Sequence, residues 1–365
     1  SKSRFGKRSI FMLIWGLPLG ILTVMYFYPV KSSQMATLIY LSIVGGLYFT
    51  AYTLVAAPYN ALIPDLATNK EERLNLSTMQ STFRLIFTGV AMVLPGILIS
   101  KFGMVNGVMN TEVGIRKTVI LITILSVLGI YACVFFLKEK QLTQNRPKSE
   151  SLGFMKSVSH LKDKEIILYF LGYFFFFCGF NILRGDLTYY LSAVMQKDIK
   201  FLTVISVILF GMAGMFFPIT NKFGKKYSYK KVLIADMLLL IAGTFGLLFI
   251  NKNTSIFAYV FFIICGTGLS GAAFIFPQAM LSEISAKLSE TKKVSLEGFM
   301  FVIQGMFLKL AFLVQQVVQS TLLVVGNNNT EGVKGATELG VKVTLVVALV
   351  LFATSLFFYN LKKED

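Results

Sequence analysis

Ten apolar runs constrain this chain more than any other feature. They lie at approximately 9–29, 35–58, 78–100, 118–137, 166–192, 201–220, 232–250, 255–281, 298–325 and 341–361. A helix needs roughly 20 such residues to cross a hydrocarbon core. No water is available there, so every backbone group must bond within its own segment, and the runs read as spanning helices. They are apolar all round. A single large soluble core would need polar faces on its outer helices, so that reading is excluded. Composition agrees: 55% of residues are hydrophobic, 15% are charged and the mean hydropathy is +0.70, whereas soluble domains carry about a quarter charged residues. The expected class is an all-α integral membrane protein.

The net charge of +17 invites a nucleic-acid reading, but the cations cluster in the gaps between the runs. One alternate set of gaps, with the run ends beside them, holds 24 Lys and Arg, among them Lys2, Arg4, Lys7, Arg8, Lys225 and Lys226, and the other set holds 9. The positive-inside rule assigns the first set to the cytoplasm and puts both visible termini there. The expected location is the cell inner (plasma) membrane, crossed many times, with lipid and a small solute as partners, no nucleic acid, and a monomeric state. Cys133, Cys178 and Cys265 sit inside apolar runs and read as inert packing thiols. No Ser-His-Asp set, metal-ligand spacing or phosphate loop is visible, so neither an enzyme nor a bound cofactor is expected.

The longest basic gap, 138–164, reads as a linker with a short amphipathic stretch from Leu152 to Leu161. It holds the only histidine, His160, read as solvated. The gap divides the chain into residues 1–137, with four runs, and 165–365, with six. A short echo orders these halves. Arg4-Phe5-Gly6-Lys7-Arg8 is repeated as Lys222-Phe223-Gly224-Lys225-Lys226. Two runs separate the later copy from the central gap and four follow it; four also follow the earlier copy before the gap. The symmetry predicts two bundles of six helices, a common transporter architecture. Ten of the twelve are visible, and two more are expected ahead of the first copy. Each copy is expected in a loop between the second and third helix of its bundle.

The stretch from Ala57 to Arg73 concentrates signals. Pro58 is expected to break the hydrogen-bond ladder near the cytoplasmic end of its helix. Thr68 with Glu71, and Asn69 with Glu72, have capping-box spacing, so a new helix should start there. Asp65, Glu72 and Arg73 can pair with the basic cluster at Arg4 to Arg8; the alternative is an ordinary capped loop. The stretch resembles the signature of the glycoside–pentoside–hexuronide cation symporters of the major facilitator superfamily: Pro-aromatic-x-x-Leu-x-Pro, a polar gap, then Glu-Arg. The segment from Glu297 to Lys309 resembles that group's eleventh helix, Ser1 to Arg8 its loop after the second, and Asn181 with Tyr189-Tyr190 its seventh.

The resemblance implies that Tyr52 and Thr53 line the substrate and cation sites, Thr53 on the cation side, and that Gln304 and Lys309 face a central cavity. Asn60, Asn181 and Tyr189 complete the expected substrate lining. Arg4, Gly6, Arg8, Asp65, Glu72 and Arg73, with Gly224 and Lys225 of the second copy, form an expected cytoplasmic latch. The chain also departs from the group. Ala56 stands where the group has an acid. Gln80 or Ser81 replaces an early Arg, with Arg84 one turn on. Glu283, Ala286 and Lys287 replace an acidic pattern.

Lys309 is also informative without the resemblance. It lies halfway along its run, where an ammonium costs roughly 2.5–3.5 kcal/mol to insert. It needs a wet cavity or a partner, with a structural ion pair or snorkelling as the alternative. Arg184 and Asp186, two apart, point to different faces and read either as an outer gate or as interface charges. Asp236 reads as a partner of the lysines near 230. Gln304, Gln315 and Gln319 are spaced to look inward, with polar helix–helix contacts as the alternative. The expected function is cation-coupled symport of a sugar or glycoside by alternating access, with Na+ or H+ as the coupling ion. Alternatives are a carrier of a lipid-like or anionic solute, or a non-transporting sensor with the same fold.

Overall fold

The computed structural model describes residues 6, 8–30, 32–67, 69–105, 107–137, 139, 163–197, 201–292, 296–326 and 336–361. Among them are ten helical runs. The first four are α1 (Ser9–Tyr26), α2 (Gln34–Leu66), α3 (Lys70–Gly103) and α4 (Thr111–Phe136). α5 (Lys164–Tyr189) continues through a π turn, Tyr190–Val194. α6 (Phe201–Lys226) and α7 (Tyr229–Leu247) follow. α8 opens at Ala258–Leu269, widens into a π turn at Ser270–Ile275 and resumes at Phe276–Lys292. α9 (Glu297–Leu322) and α10 (Glu338–Leu361) complete the fold. A two-residue hairpin, Met104–Val105 with Val108–Met109, joins α3 to α4. Eight of the helices are long and apolar enough to cross a membrane.

Several helices start where short polar side chains cap their free N–H groups. Ser33 accepts from Ala36 at 3.1 Å, Asn69 from Glu72 at 2.8 Å, Asn110 from Val113 at 3.1 Å and Ser228 from Lys231 at 3.2 Å. The Asn69–Glu72 spacing thus marks a true helix start. Several helices overrun their apolar runs. α2 has 33 residues, about 50 Å of helix against a hydrocarbon core of about 30 Å. Pro58 therefore does not end it. Proline removes one backbone donor, which neighbouring helices and waters can offset in a membrane helix.

The echo is corrected in the same way. Lys222 to Lys226 are not in a loop but form the end of α6, and Tyr227 and Ser228 alone separate them from α7. Gly224 is buried there, with room for a Cβ only 3.2 Å from Phe276 and 3.5 Å from Leu74. Lys225 and Lys226 close the last turn, where cations suit the negative end of the helix dipole. In the first copy Gly6 has φ +112°, a left-handed conformation open to glycine and strained for other residues. Gly6 and Gly224 thus share a letter and not a backbone conformation. Arg4, His160 and the stretch 152–161 lie outside the described residues.

Within the first four helices α1 packs on α2 and α4, and α3 on α4. Within the last six α5 packs on α9 and α10, α7 on α8 and α10, and α6 on α8. Across the two groups α3 lies against α6, and α2 against α9. Burial is uneven: 78% of the spanning window of α5 is enclosed, against 11% for α4, so the core centres on α5. Its aromatic side chains interlock there, Phe170 stacking on Phe307 of α9 at 5.3 Å and Phe176 meeting Phe352 of α10 at 5.7 Å. Lipid tails are as apolar as these rings, so close packing rather than water exclusion holds this core.

Candidate functional site

The two helix groups meet at Lys309. It lies twelve residues after Glu297, about 18 Å along α9. Its Nζ crosses to α2, donating to the Phe49 carbonyl at 2.7 Å and to Thr53 Oγ1. Thr53 Oγ1 itself donates to the same carbonyl at 2.7 Å, which turns its lone pairs toward the ammonium. The Phe49 ring faces Nζ at 5.4 Å from its centroid, a cation–π distance. Two charge-assisted hydrogen bonds at about 1.5–3 kcal/mol each offset an insertion cost of about 2.5–3.5 kcal/mol. No carboxylate pairs with Lys309 among the described residues, so the positive charge is held by dipoles and remains unneutralised.

α2 also carries Tyr52, next in sequence to Thr53. Tyr52 is 44% exposed and stacks on Tyr48 at 6.4 Å. Tyr173 of α5 is buried and stands within electrostatic reach of Tyr52 and of Arg84 on α3. Arg84, one turn beyond the position where the resemblance placed an arginine, is thus drawn to the same region. Lys309 reaches the helix that carries Tyr52, and its side-chain partner there is Thr53.

The other expected lining residues lie elsewhere. Asn60 accepts from Gln80 Nε2 at 3.0 Å and ties α2 to α3. Gln304 is 3% exposed; its Nε2 donates to Tyr169 Oη at 2.7 Å and to the Pro277 carbonyl at 3.3 Å. It is engaged in holding α5, α8 and α9 together. Asn181 is buried with Nδ2 unpaired, and Tyr189 is half-buried against the core. Gln315 and Gln319 do face inward, and Gln319 binds Asp186 at 2.7 Å. Arg184 is exposed while Asp186 is buried, as their spacing of two requires. Asp236 is buried and forms no ion pair with the lysines near 230.

At the end where the basic gaps gather, α3 presents one face to the last six helices. Glu71 pairs with Lys225 at 2.8 Å, Thr78 accepts from Asn221 Nδ2 at 2.5 Å, and Ser81 donates to the Phe274 carbonyl at 2.5 Å. Gly224 packs on Leu74 between them. Arg73 stands near Tyr229, together with Glu71 and Glu283. Gly6 and Arg8 lie on a different carboxylate: Glu139, 2% exposed, accepts from Arg8 N at 3.0 Å, Ser9 N at 2.8 Å and Ser9 Oγ at 2.7 Å. A Cβ on Gly6 would come within 2.4 Å of that carboxyl. Glu72 is exposed at the start of α3, and the side chain of Asp65 lies outside the described residues. Sequence reasoning missed Glu139, and it read Glu71 as part of a helix cap rather than as the partner of Lys225. Glu139 sits between Lys138 and Lys140 in what reads as a linker; its signal was the scarcity of acids, 18 in the whole chain.

The family model for MFS/sugar transport proteins matches residues 1–363. The uncharacterized symporter YnaJ of Bacillus subtilis (strain 168) is 23% identical over 375 residues, covering 100% of this chain and 79% of that protein. YagG of Escherichia coli (strain K12), whose name gives it as a glycoside/cation symporter, is 23% identical over 249 residues, 66% of this chain and 51% of that protein. Among solved structures, the E. coli fucose:proton symporter FucP is similar with a TM-score of 0.67 at 14% identity, over 98% of this chain and 84% of that one. A bacterial homologue of the iron transporter ferroportin gives 0.70 at 13% identity, over 98% and 84%. At such identities the structures speak for the fold alone.

Proposed function

Because this chain belongs to the MFS/sugar transport protein family, we propose that it is a cation-coupled symporter carrying a sugar or glycoside by alternating access. Residues 1–137 and 165–365 are the two rocking bundles, and 138–164 connects them. The observation that carries this reading is the Lys309 bridge. A charged residue near the middle of one bundle's helix is held by hydroxyl and carbonyl dipoles of the other. Such a bond is strong enough to close the interface, and a sugar's hydroxyls can replace its acceptors. Tyr52, Thr53, Arg84 and Lys309 are the groups we place around the solute. The α3–α6 face, with Glu71 and Lys225, is the latch that opens when the bundles rock. The family match and the glycoside/cation relative support a sugar over a lipid-like or anionic solute.

Counterflow in proteoliposomes tests this. Vesicles loaded with an unlabelled glycoside should accumulate the labelled one transiently, and a gradient of Na+ or H+ should drive net uptake. Binding without exchange would identify a sensor and overturn the proposal.

A further inference from the structure

Among the described residues two carboxyls, Asp186 and Asp236, are buried inside the spanning helices, and the fold treats them differently. Asp186 of α5 is saturated: Oδ1 accepts from Gln319 Nε2 at 2.7 Å and Oδ2 from Thr344 Oγ1 at 2.6 Å. Asp236 of α7 is 6% exposed. The backbone N–H of Gly271 is aimed at its carboxyl, yet Oδ2 has no hydrogen-bond partner among the described residues. The π turn Ser270–Ile275 of α8 is pressed against it. A Cβ on Gly271 would lie 2.0 Å from Asp236 Oδ2, and one on Gly268 would lie 2.4 Å from the Asp236 carbonyl. Thr220 of α6 and Ser270 share a hydrogen bond of 2.7 Å beside Gly271.

Among the described residues no charge pairs with Asp236. Its own helix carries Lys230, which donates to the Asn360 carbonyl at 2.8 Å, and Lys231. Of the elements packed on α7, α6 carries Lys222, Lys225 and Lys226, α8 carries Glu283 and Lys287, and α10 carries Glu338 and Lys342. Lys225 is paired with Glu71 and Lys342 with Glu338, and none of these groups pairs with Asp236. An ionised carboxylate with a bare oxygen in apolar surroundings is strongly disfavoured, whereas a protonated carboxyl is tolerated there.

We propose that Asp236 and the π turn Ser270–Ile275 form a proton-binding site, separate from the Lys309 bridge. Resting on the symporter reading above, it is where the coupling proton is carried. The same turn reaches the other helix group, because Ser81 of α3 donates to the Phe274 carbonyl at 2.5 Å. Loss of the proton leaves a carboxylate that needs donors. A π turn is a wide, locally adjustable element found often at functional sites, and it can supply them by shifting. That shift moves the Phe274 carbonyl away from α3. Proton occupancy at Asp236 is thereby linked to the closure of the interface.

The test uses the full chain in detergent with a hydrophobic carbodiimide, a reagent that modifies protonated carboxyls, followed by peptide mass mapping. Asp236 is expected to be modified, Asp186 to be spared, and the rate at Asp236 to fall as pH rises. Infrared spectra should show a protonated-carboxyl band that is lost in Asp236→Asn. The wild-type mass map stands alone if that variant does not fold. Modification confined to other carboxyls, or a rate indifferent to pH, overturns the proposal. Protection of Asp236 by sodium at fixed pH also overturns it, in favour of a sodium site. These readouts need no sugar, so a failure of glycoside counterflow would refute the transport reading without touching them.

Discussion

Lys309 illustrates what one residue decides. The ammonium is stable in mid-helix because α2 turns a main-chain carbonyl and a threonine hydroxyl toward it. Lys309→Met keeps most of the volume and removes the insertion cost, so expression and folding should persist. It also removes the strongest polar link between α2 and α9. The expected outcome is a loss of coupled uptake of at least about tenfold, the equivalent of roughly 1.4 kcal/mol. Uptake in proteoliposomes checks this, and a mutant with undiminished uptake would remove Lys309 from the site. Mid-run position was enough to mark Lys309 in the sequence, and the resemblance marked it as well. Its partner Thr53 entered only through the resemblance, and the Phe49 carbonyl had no signal at all, since every residue carries one.

At the scale of elements, α3 acts as the seam between the two helix groups. Glu71, Thr78 and Ser81 are seven and three residues apart, which puts them on one helical face, and each meets a polar group of α6 or α8. The ion pair at the end is largely solvated, with side-chain exposures of 33% for Lys225 and 68% for Glu71. Exposed pairs contribute at most about 1 kcal/mol. Glu71→Lys should therefore leave thermal stability almost unchanged. It should instead bias the seam toward opening, because two like charges then face each other. Distance measurements between spin labels on α3 and α6 should show a larger open fraction, and Lys225→Glu added to the same protein should reverse it. An unchanged distance distribution in the single variant would argue against a gating role for the seam.

At the scale of the molecule, the chain is held by one dense aromatic core in the last six helices and a much thinner one in the first four. The smaller cluster consists of Met12, Val55, Leu62 and Val134. The arrangement of cations predicts the orientation of the whole. Tyr227 lies in the tight turn after α6 and Lys252 in the next gap, and both are exposed. Tyr227→Cys should react with a membrane-impermeant maleimide only from the cytoplasmic face, and Lys252→Cys only from the other. The native thiols interfere little, since Cys178 and Cys265 are buried and Cys133 is half-buried. Labelling of both from one side would overturn the assigned topology.

The sequence by itself determined the class, the number of visible helices and the family. Hydrocarbon admits only segments whose backbone is bonded internally, and apolar runs of that length announce themselves. Helix starts such as Asn69 were legible for a similar reason, because a cap acts within four residues of its own chain. The tertiary structure alone decided the partners. Glu139 reaches back 130 residues to Ser9, Lys309 crosses 256 residues to Thr53, and Lys225 crosses 154 to Glu71. It also decided that Gln304 is engaged by Tyr169 while Asp236 Oδ2 has no partner among the described residues. No local pattern encodes such pairings. They follow from which helix faces which, and that choice is made by packing across the whole bundle.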